Sequence, residues 1–271
     1  MPPPRTGNRW KPTLAIQASL ALHAGAAAAL IARPALWSWV LGAVVADHLA
    51  LTAAGLWPRS KLLGPNWTHL PGAAAAAGAV AITIDDGPDP LITPRVLDLL
   101  DQYSAKATFF CIGERVAAHS QLAREIVRRG HSIENHSQHH LHRFSVLGPR
   151  GMHAEIGRAQ DTIAAVTGER PQFFRAPAGL RSPLLEPVLA RFELRLASWT
   201  RRGFDTVSPD ADVVFQRLTQ GLRAGDILLL HDGHAARTPA GSPIILEVLP
   251  RLLQAVSAAR LTPVTLRSAL T

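Results

Sequence analysis

The chain has 271 residues, a formal net charge of +8 at pH 7, and 47% hydrophobic residues. This length allows one large domain with a full core and additional sequence. The single cysteine, Cys111, excludes an internal disulfide framework and a multi-cysteine zinc site. Because Cys111 lies in an apolar run, we expect a buried, inert thiol. No Lys/Arg stripe with interleaved aromatic residues occurs, so the basic charge does not indicate a nucleic-acid surface.

Two long apolar stretches open the chain. Residues 12–32 contain no Lys, Arg, Asp or Glu, and residues 34–58 are interrupted only by Asp47 and His48. Each stretch is long enough to cross a bilayer, which needs about 20 residues. Five of the six tryptophans lie in or beside the two stretches, as expected at membrane interfaces. We therefore predict that residues 1–61 anchor the protein in a bacterial inner membrane through one or two helices.

Three other interpretations of this region remain open. The first stretch has the basic start and the small-residue cleavage candidate, 24–26, of a signal peptide. The second stretch could be an amphipathic surface segment, because Asp47 is costly in lipid. Both stretches are alanine-rich, so each could also be a soluble helix.

The number of spans decides the side of the membrane on which the remaining chain lies. Two spans form a hairpin that returns the domain to the side of the N-terminus, whereas one span places it outside, in the periplasm. Basic residues flank both ends of the apolar region and favour the cytoplasm for both. They are Arg5, Arg9, Lys11, Arg59 and Lys61.

Beyond this region, residues 62–78 are rich in Gly, Pro and Ala and are interpreted as a linker, and residues 79–271 as the catalytic domain. Short β-like runs then alternate with helical patterns. The predicted strands are 79–85, 107–112, 131–136, 173–176, 194–199, 226–231 and 263–266. The predicted helices start at Thr93, follow the second strand to Arg129, and occupy 152–166, 183–191, 210–222 and 244–259. Roughly seven β/α alternations predict a parallel α/β barrel, closed or nearly closed.

Two adjacent carboxylates, Asp85 and Asp86, end the first predicted strand and are followed by Gly87-Pro88. Neighbouring residues of a strand point to opposite faces, so a turn is needed for both carboxylates to reach one site. The Gly-Pro pair is expected to supply it. An Asp-Asp-Gly-Pro sequence by itself is often only a turn. Its interpretation as part of a functional site depends on the histidines that follow.

A histidine-rich segment, residues 136–140 (His-Ser-Gln-His-His), follows the third predicted strand. The spacing of His136 and His140 predicts that both imidazoles lie on one face of a helical turn, as in zinc hydrolases. One Asp and two His as metal ligands leave a coordination position open, and the second Asp is free to act as a base. His139 and His142 are interpreted as solvated or groove-lining residues.

Further polar residues end other predicted strands. Arg175 and His231 follow apolar runs, and in a parallel barrel the chemistry gathers at the C-terminal strand ends. These side chains are therefore expected to meet Asp85, Asp86 and His136. Taken singly, Arg175 could be a surface ion-pair former and His231 a core histidine.

At this point the chain resembles the polysaccharide deacetylase family, the carbohydrate esterases that share the NodB homology domain. The resemblance covers residues 79–266 and rests on four motifs in order. They are Thr-Ile-Asp-Asp-Gly-Pro at 83–88, His-Ser-Gln-His-His at 136–140, Arg-Ala-Pro-Ala-Gly at 175–179 and Leu-Leu-His at 229–231. The resemblance implies an irregular (β/α)7 barrel of NodB type and hydrolysis of N-acetyl groups on amino sugars.

The resemblance also implies a metal site and a catalytic base. Asp86, His136 and His140 would bind a divalent metal, most often zinc, with cobalt or other divalent ions as alternatives. Asp85 would be the general base. Independently of the resemblance, amide hydrolysis needs an activated water, a stabilised oxyanion and a proton for the leaving amine, and such a site can supply them.

Other roles follow from the same resemblance. Arg175 would orient Asp85, His231 would be the general acid, and Asp205 would tune that histidine. Trp199 and Leu229 would form the wall that contacts the acetyl methyl group.

Two positions depart from the family pattern. The family commonly has Tyr after the proline of its third motif, whereas Ala178 follows Pro177 here. The family uses the backbone N–H at that position for the oxyanion, so substrate packing is expected to change more than catalysis. The family's Asp-x-x-Asp-Trp motif reads Arg-Gly-Phe-Asp-Thr at 202–206, which retains only the second Asp, Asp205.

The sequence thus predicts a membrane-anchored, metal-dependent deacetylase acting on a cell-wall glycan or a lipid-linked amino sugar. A catalytically silent glycan-binding domain on the same fold is one alternative. A non-haem iron oxygenase is another, because two His and one carboxylate also suit Fe(II). A purely structural membrane protein would leave the whole set of motifs without a role.

Overall fold

The computed structural model describes residues 10–270. Residues 1–9, which include the flanking Arg5 and Arg9, and Thr271 lie outside the described residues. The helices are α1 Leu14–Ala32, α2 Trp37–Leu56, α3 Gly72–Ala76, α4 Thr93–Gln102, α5 Gly113–Ala118, α6 Ser120–Arg128, α7 Pro149–Thr167, α8 Leu185–Arg191, α9 Ala211–Thr219 and α10 Ile244–Ala258. The strands are β1 Ala79–Asp85, β2 Ala107–Cys111, β3 Ser132–Asn135, β4 Phe173–Phe174, β5 Arg195–Leu196, β6 Arg201–Arg202, β7 Ile227–His231 and β8 Thr262–Val264.

Strand β1 shows why a continuous apolar run can build two different surfaces. Val80, Ile82 and Ile84 belong to the large core between the sheet and helices α4, α6, α9 and α10. Ala79 and Ala81 face the opposite side and pack in a separate cluster with aromatic residues of β2 and β4. Because successive side chains alternate between faces, Asp85 follows these small residues on the concave side.

All eight strands form one parallel sheet in the order β5-β4-β3-β2-β1-β7-β6, with β8 also pairing with β1. The sheet curls into a half-barrel with the helices outside, and the expected α/β barrel class is confirmed. Within residues 10–270, the edge strands β5 and β6 do not pair with each other. The barrel is therefore open on one side.

The segment before β1 fills part of this opening. Trp67 forms a parallel bridge with Ala197, next to β5, and His69 forms an antiparallel bridge with Asp226, next to β7. Leu70 is buried in the cluster of Ala79 and Ala81, whereas Leu63 is buried against α1 and α2. Residues 62–78, interpreted above as a linker, thus pack on the barrel along much of their length.

Helices α1 and α2 form an antiparallel hairpin, and both are long and apolar enough to cross a membrane. A membrane anchor and a signal sequence both fit this pattern. Most of their large apolar side chains are exposed, including Trp37 and Trp39. The Ser19 hydroxyl donates to Asp47 Oδ2 at 2.7 Å, which gives this carboxylate a partner inside the apolar hairpin.

Besides the short helix α3 in the predicted linker, two features of the chain trace differ from the sequence prediction. Strand β6 was not predicted, because it is only two residues long and both are arginine. The helix expected to end at Arg129 is divided into α5 and α6, with His119 in a non-helical conformation between them. Neither difference moves the strand ends that carry the polar residues.

Candidate active site

Strand register brings the predicted polar residues to one edge of the sheet. Asp85 of β1 pairs with His231 of β7. On the other side of β1, β2 links to β3, and Asn135 at the end of β3 pairs with Phe174 of β4. His136 and Arg175 directly follow these last two residues, so the structure brings together the strand ends named in the sequence prediction.

The Asp85 carboxylate is held by a buried arginine. Nη1 of Arg175 donates to Asp85 Oδ1 at 2.6 Å and to the Thr83 hydroxyl at 2.8 Å. The other guanidinium nitrogens donate to the carbonyls of Ala197 and Ser198. Arg175 is only 1% exposed. The guanidinium therefore fixes the Asp85 carboxylate through Oδ1 and leaves Oδ2 free of this contact.

Asp86, His136 and His140 place one ligand atom each within 4.8 Å of one another. Asp86 Oδ1 lies 3.3 Å from Nε2 of His136 and 3.3 Å from Nε2 of His140. Asp85 Oδ2 is 3.9 Å from the same His136 nitrogen. One carboxylate thus lies inside the three-residue cluster and the other lies beside it.

Local backbone geometry, rather than a helix, produces this arrangement. Residues 136–140 form a bent loop, and both Ser137 and His140 have positive φ, 64° and 48°. The helical turn predicted from the four-residue spacing is therefore wrong. Asp86 itself has φ 76°, so the turn expected at Gly87-Pro88 begins one residue earlier. Left-handed non-glycine residues cost about 1–3 kcal/mol each and cluster at functional sites.

The three residues fit a divalent metal on grounds of their own chemistry. His136 Nδ1 bonds the Arg175 carbonyl at 2.8 Å, so this nitrogen carries the proton and Nε2 offers its lone pair. Burial lowers the pKa of His140 to about 4, so its imidazole is neutral at pH 7. Asp86 Oδ1 is buried and has no hydrogen-bond partner. An uncompensated buried carboxylate oxygen between two imidazole lone pairs is a donor set for a cation such as Zn²⁺.

Asp86 remains ionised in this setting. Burial by itself would raise the pKa of its carboxyl, but the interactions with His136 and His234 outweigh that effect and hold the pKa well below its usual range. The cluster therefore offers one full negative charge together with the Nε2 atoms of two imidazoles. A divalent cation would retain net positive charge there.

His231 forms a pair with Asp205 on the other side of Asp85. Asp205 is fully buried and accepts from His231 Nδ1 at 2.9 Å and from the His231 backbone N–H at 2.7 Å. Burial by itself would lower the pKa of His231, but the Asp205 carboxylate outweighs it and raises the pKa to about 9. The histidine is therefore protonated at neutral pH in the ion-free protein.

A cavity of about 510 Å³ opens over these groups. Trp199, Leu229 and Ala178 line it, together with Asp85, Asp86, His136, His140 and His231. Ala178 is exposed and has φ 55°, whereas Pro177 is buried and does not line the cavity. The predicted wall residues Trp199 and Leu229 thus lie at the cavity surface with Ala178, whereas Pro177, also expected to bind substrate, does not.

Two residues whose side chains contact Asp86 were not predicted. His234 Nδ1 bonds Asp86 Oδ2 at 2.9 Å, so both oxygens of this carboxylate face histidines. Arg115 donates to the backbone carbonyls of Asp86 and Gly233. The position of His234, three residues after His231, was a sequence signal that could have identified it. Nothing in the sequence marked Arg115.

Cys111 is buried, as expected. His139 bonds the Glu155 carboxylate at 2.7 Å through Nδ1 and lines the cavity with His142. Both histidines therefore fit the groove-lining interpretation.

Residues 73–197 match the family model described as polysaccharide deacetylase. A peptidoglycan-N-acetylglucosamine deacetylase of Bacillus cereus is 35% identical over 175 residues, which cover 64% of this chain and 81% of that relative. A chitooligosaccharide deacetylase of a Bradyrhizobium species is 34% identical over 164 residues, covering 60% of this chain and 74% of that protein. The family 4 carbohydrate esterase of Streptomyces lividans superposes with a TM-score of 0.62 at 32% identity, covering 69% of this chain and 91% of that one.

The fold, the site and these relatives define the chain as a hydrolase that acts on amide carbon–nitrogen bonds outside peptides. More closely, the chain belongs to the polysaccharide deacetylase family.

Proposed function

We propose that this protein is a metal-dependent N-deacetylase that removes acetyl groups from amino sugars of a cell-wall glycan or a lipid-linked saccharide. The observation that carries the proposal is the placement of Asp85, held by Arg175, 3.9 Å from a His nitrogen of the Asp86–His136–His140 cluster. A carboxylate beside a three-ligand metal site is in place to take a proton from water.

Asp86, His136 and His140 are the residues that would hold the metal, with zinc as the ion we expect and cobalt or other divalent ions as alternatives. When bound, such an ion lowers the pKa of water and polarises the acetyl carbonyl. Asp85 accepts the proton of the attacking water at Oδ2, because Arg175 already occupies Oδ1. Arg175 is thus a positioning residue for the base.

His231 is the proposed general acid for the leaving amine. Its Nδ1 is bound by Asp205, which leaves Nε2 to deliver a proton toward the cavity. Trp199 and Leu229 form the wall for the acetyl methyl group, and the backbone N–H of Ala178 is the proposed donor to the oxyanion. Pro177 is buried and is the first residue of the turn that carries Ala178.

The hairpin of α1 and α2 is proposed to anchor the enzyme in the bacterial inner membrane. If both helices span, the catalytic domain faces the cytoplasm, and a lipid-linked precursor is the substrate it can reach. If one spans or is cleaved, the domain faces the periplasm and the cell-wall glycan. A reporter that is active only outside the cytoplasm, fused after Thr271, is expected to stay silent in intact cells. Reporter activity would contradict the two-span arrangement.

Acetate release from N-acetylglucosamine oligosaccharides tests the proposed activity. We expect the purified full-length protein to release acetate, to lose this activity on treatment with a chelator, and to regain it when Zn²⁺ or Co²⁺ is added. Retained oligosaccharide binding without acetate release under all metal conditions would instead favour a silent glycan-binding domain. Activity that requires Fe(II) and O₂ would favour the oxygenase alternative.

Replacing Asp205 by Asn is expected to move the alkaline limit of kcat to lower pH. The folded-state pKa of His231 is raised to about 9 by Asp205, so a general acid at this position is lost as the pH rises through that value. Without the Asp205 carboxylate, the pKa of His231 is expected to fall by about 1–3 units. The alkaline limb of the kcat profile is expected to shift by a similar amount. A pH profile of kcat for both proteins measures the shift, and an unmoved limb would contradict the role of His231.

A further inference from the structure

Within the described part of the chain, one arginine of the cavity has no acceptor for its charge. Arg202 lines the cavity and lies over the rings of Trp199 and Phe204, with its guanidinium carbon 5.4 and 4.9 Å from the ring centroids. Its Nε is buried and has no hydrogen-bond partner. Among residues 10–270, no carboxylate forms an ion pair with it.

The other arginine that lines the cavity is already engaged. Arg115 donates to two backbone carbonyls and lies 3.3 Å from His234 Nε2. Arg202 is therefore the cavity arginine whose terminal Nη donors remain available to a bound molecule. A guanidinium held against two aromatic rings is pre-organised for the paired oxygens of a phosphate.

The cavity wall also touches the end of the hairpin. A Cβ on Gly179 would meet the Trp199 ring at 2.5 Å and Pro58 at 3.0 Å, so these three residues are in close contact. Pro58 lies only two residues beyond the end of α2, and its carbonyl accepts from the Ser198 hydroxyl at 2.6 Å. Two residues span at most about 7 Å. The wall that carries Trp199 therefore lies at the level where α2 would leave a bilayer.

We propose that the cavity takes an amino sugar that carries a phosphate, and that Arg202 binds this phosphate and determines specificity. The proposal rests on the proposed deacetylase function and names its substrate class. The phosphate can belong to a lipid carrier that remains in the membrane or to a soluble sugar phosphate. The contact between Pro58 and the cavity wall favours the lipid carrier, because the phosphate of such a carrier lies at the membrane surface.

Full-length protein in lipid nanodiscs tests this with three N-acetylated probes. They are neutral diacetylchitobiose, diacetylchitobiose 1-phosphate, and N-acetylglucosamine linked by diphosphate to a polyprenol in the same nanodisc. We expect kcat/KM for acetate release to be about tenfold or more higher for the phosphorylated probes, since a charge-assisted bond contributes about that factor. A further advantage of the polyprenyl probe over the soluble phosphate identifies the lipid carrier, and equal rates identify a soluble sugar phosphate.

The variant Arg202→Ala is expected to lower the ratio of phosphorylated to neutral kcat/KM by about 10- to 100-fold. Arg202→Lys, which keeps the charge but loses the fork, is expected to lie between. Arg217→Ala is the matched control, because Arg217 also lies over Phe204 but does not line the cavity. Thermal unfolding of each variant verifies its fold.

A wild-type ratio near one, or a ratio that Arg202→Ala leaves unchanged while acetate is still released, would overturn the role of Arg202 alone. Absence of acetate release from every probe by the wild-type protein would overturn the deacetylase function itself. The two failures are therefore distinguishable.

Discussion

Replacing Asp85 by Asn is expected to lower kcat for acetate release by about 10²- to 10⁴-fold while metal content stays unchanged. Asn keeps an oxygen that accepts from Arg175, so the surroundings of the side chain are retained. The amide cannot take a proton from water, and the three ligand residues are untouched. Acetate release and metal analysis on the same preparation measure the two effects.

Asp98→Asn is the matched control for this variant. Asp98 is an exposed carboxylate of α4 that pairs with Arg129 at 2.8 Å and does not line the cavity. The control is expected to behave as the unmodified protein. Near-normal turnover by Asp85→Asn would remove Asp85 from the role of base, and loss of metal would move it into the ligand set.

Replacing His136 by Ala is expected to abolish both metal binding and activity. His136 is buried, and its Nε2 faces Asp86 while its Nδ1 is fixed by the Arg175 carbonyl. Even partners that only orient metal ligands alter affinity by about 10- to 100-fold, so removal of a ligand is expected to weaken binding by more than about 100-fold. Metal titration of the chelator-treated variant measures this.

His139→Ala provides the comparison within the same loop. Its imidazole bonds Glu155 instead of facing Asp86, so the variant is expected to retain one metal ion per chain. If His136→Ala kept the metal at the same stoichiometry, His136 would not be a ligand.

The strand ends of this fold were accessible from the sequence because parallel strands carry a simple signal. β-branched and apolar runs of five to seven residues marked β1, β2 and β7, and a polar residue at the end of β1 and of β7 marked the edge where the site lies. Asp85 and His231 were expected to meet at this edge, and the structure shows that they do so because β1 and β7 are neighbouring strands.

Local conformation was not accessible in the same way. A spacing of four residues predicts neighbouring side chains only in a helix, whereas Ser137 and His140 adopt left-handed backbone angles that no sequence period reports. His136 and His140 still converge on Asp86, but through a bent loop. Strand β6 was not predicted because its two arginines carry no strand pattern of their own. They are extended because they pair with β7.

Contacts distant in sequence were also beyond the reach of local patterns. The hydrogen bond between His234 and Asp86 joins residues 148 positions apart, and it depends on the order of the strands rather than on composition. The packing of residues 62–78 also depends on contacts with residues distant in sequence. Gly, Pro and Ala suggested a spacer, yet Leu63 and Leu70 are buried.

The bridge made by residues 67–69 determines where the enzyme can be cut from the hairpin of α1 and α2. A fragment that began at Ala79 would leave the Leu196 carbonyl and the Ser198 amide without their backbone partners on Trp67. It would also expose the edge of β5 beside the cavity wall, and an open strand edge invites pairing between molecules. A soluble enzyme suited to crystallisation or inhibitor screening therefore has to begin ahead of Pro58, close to the last turn of α2.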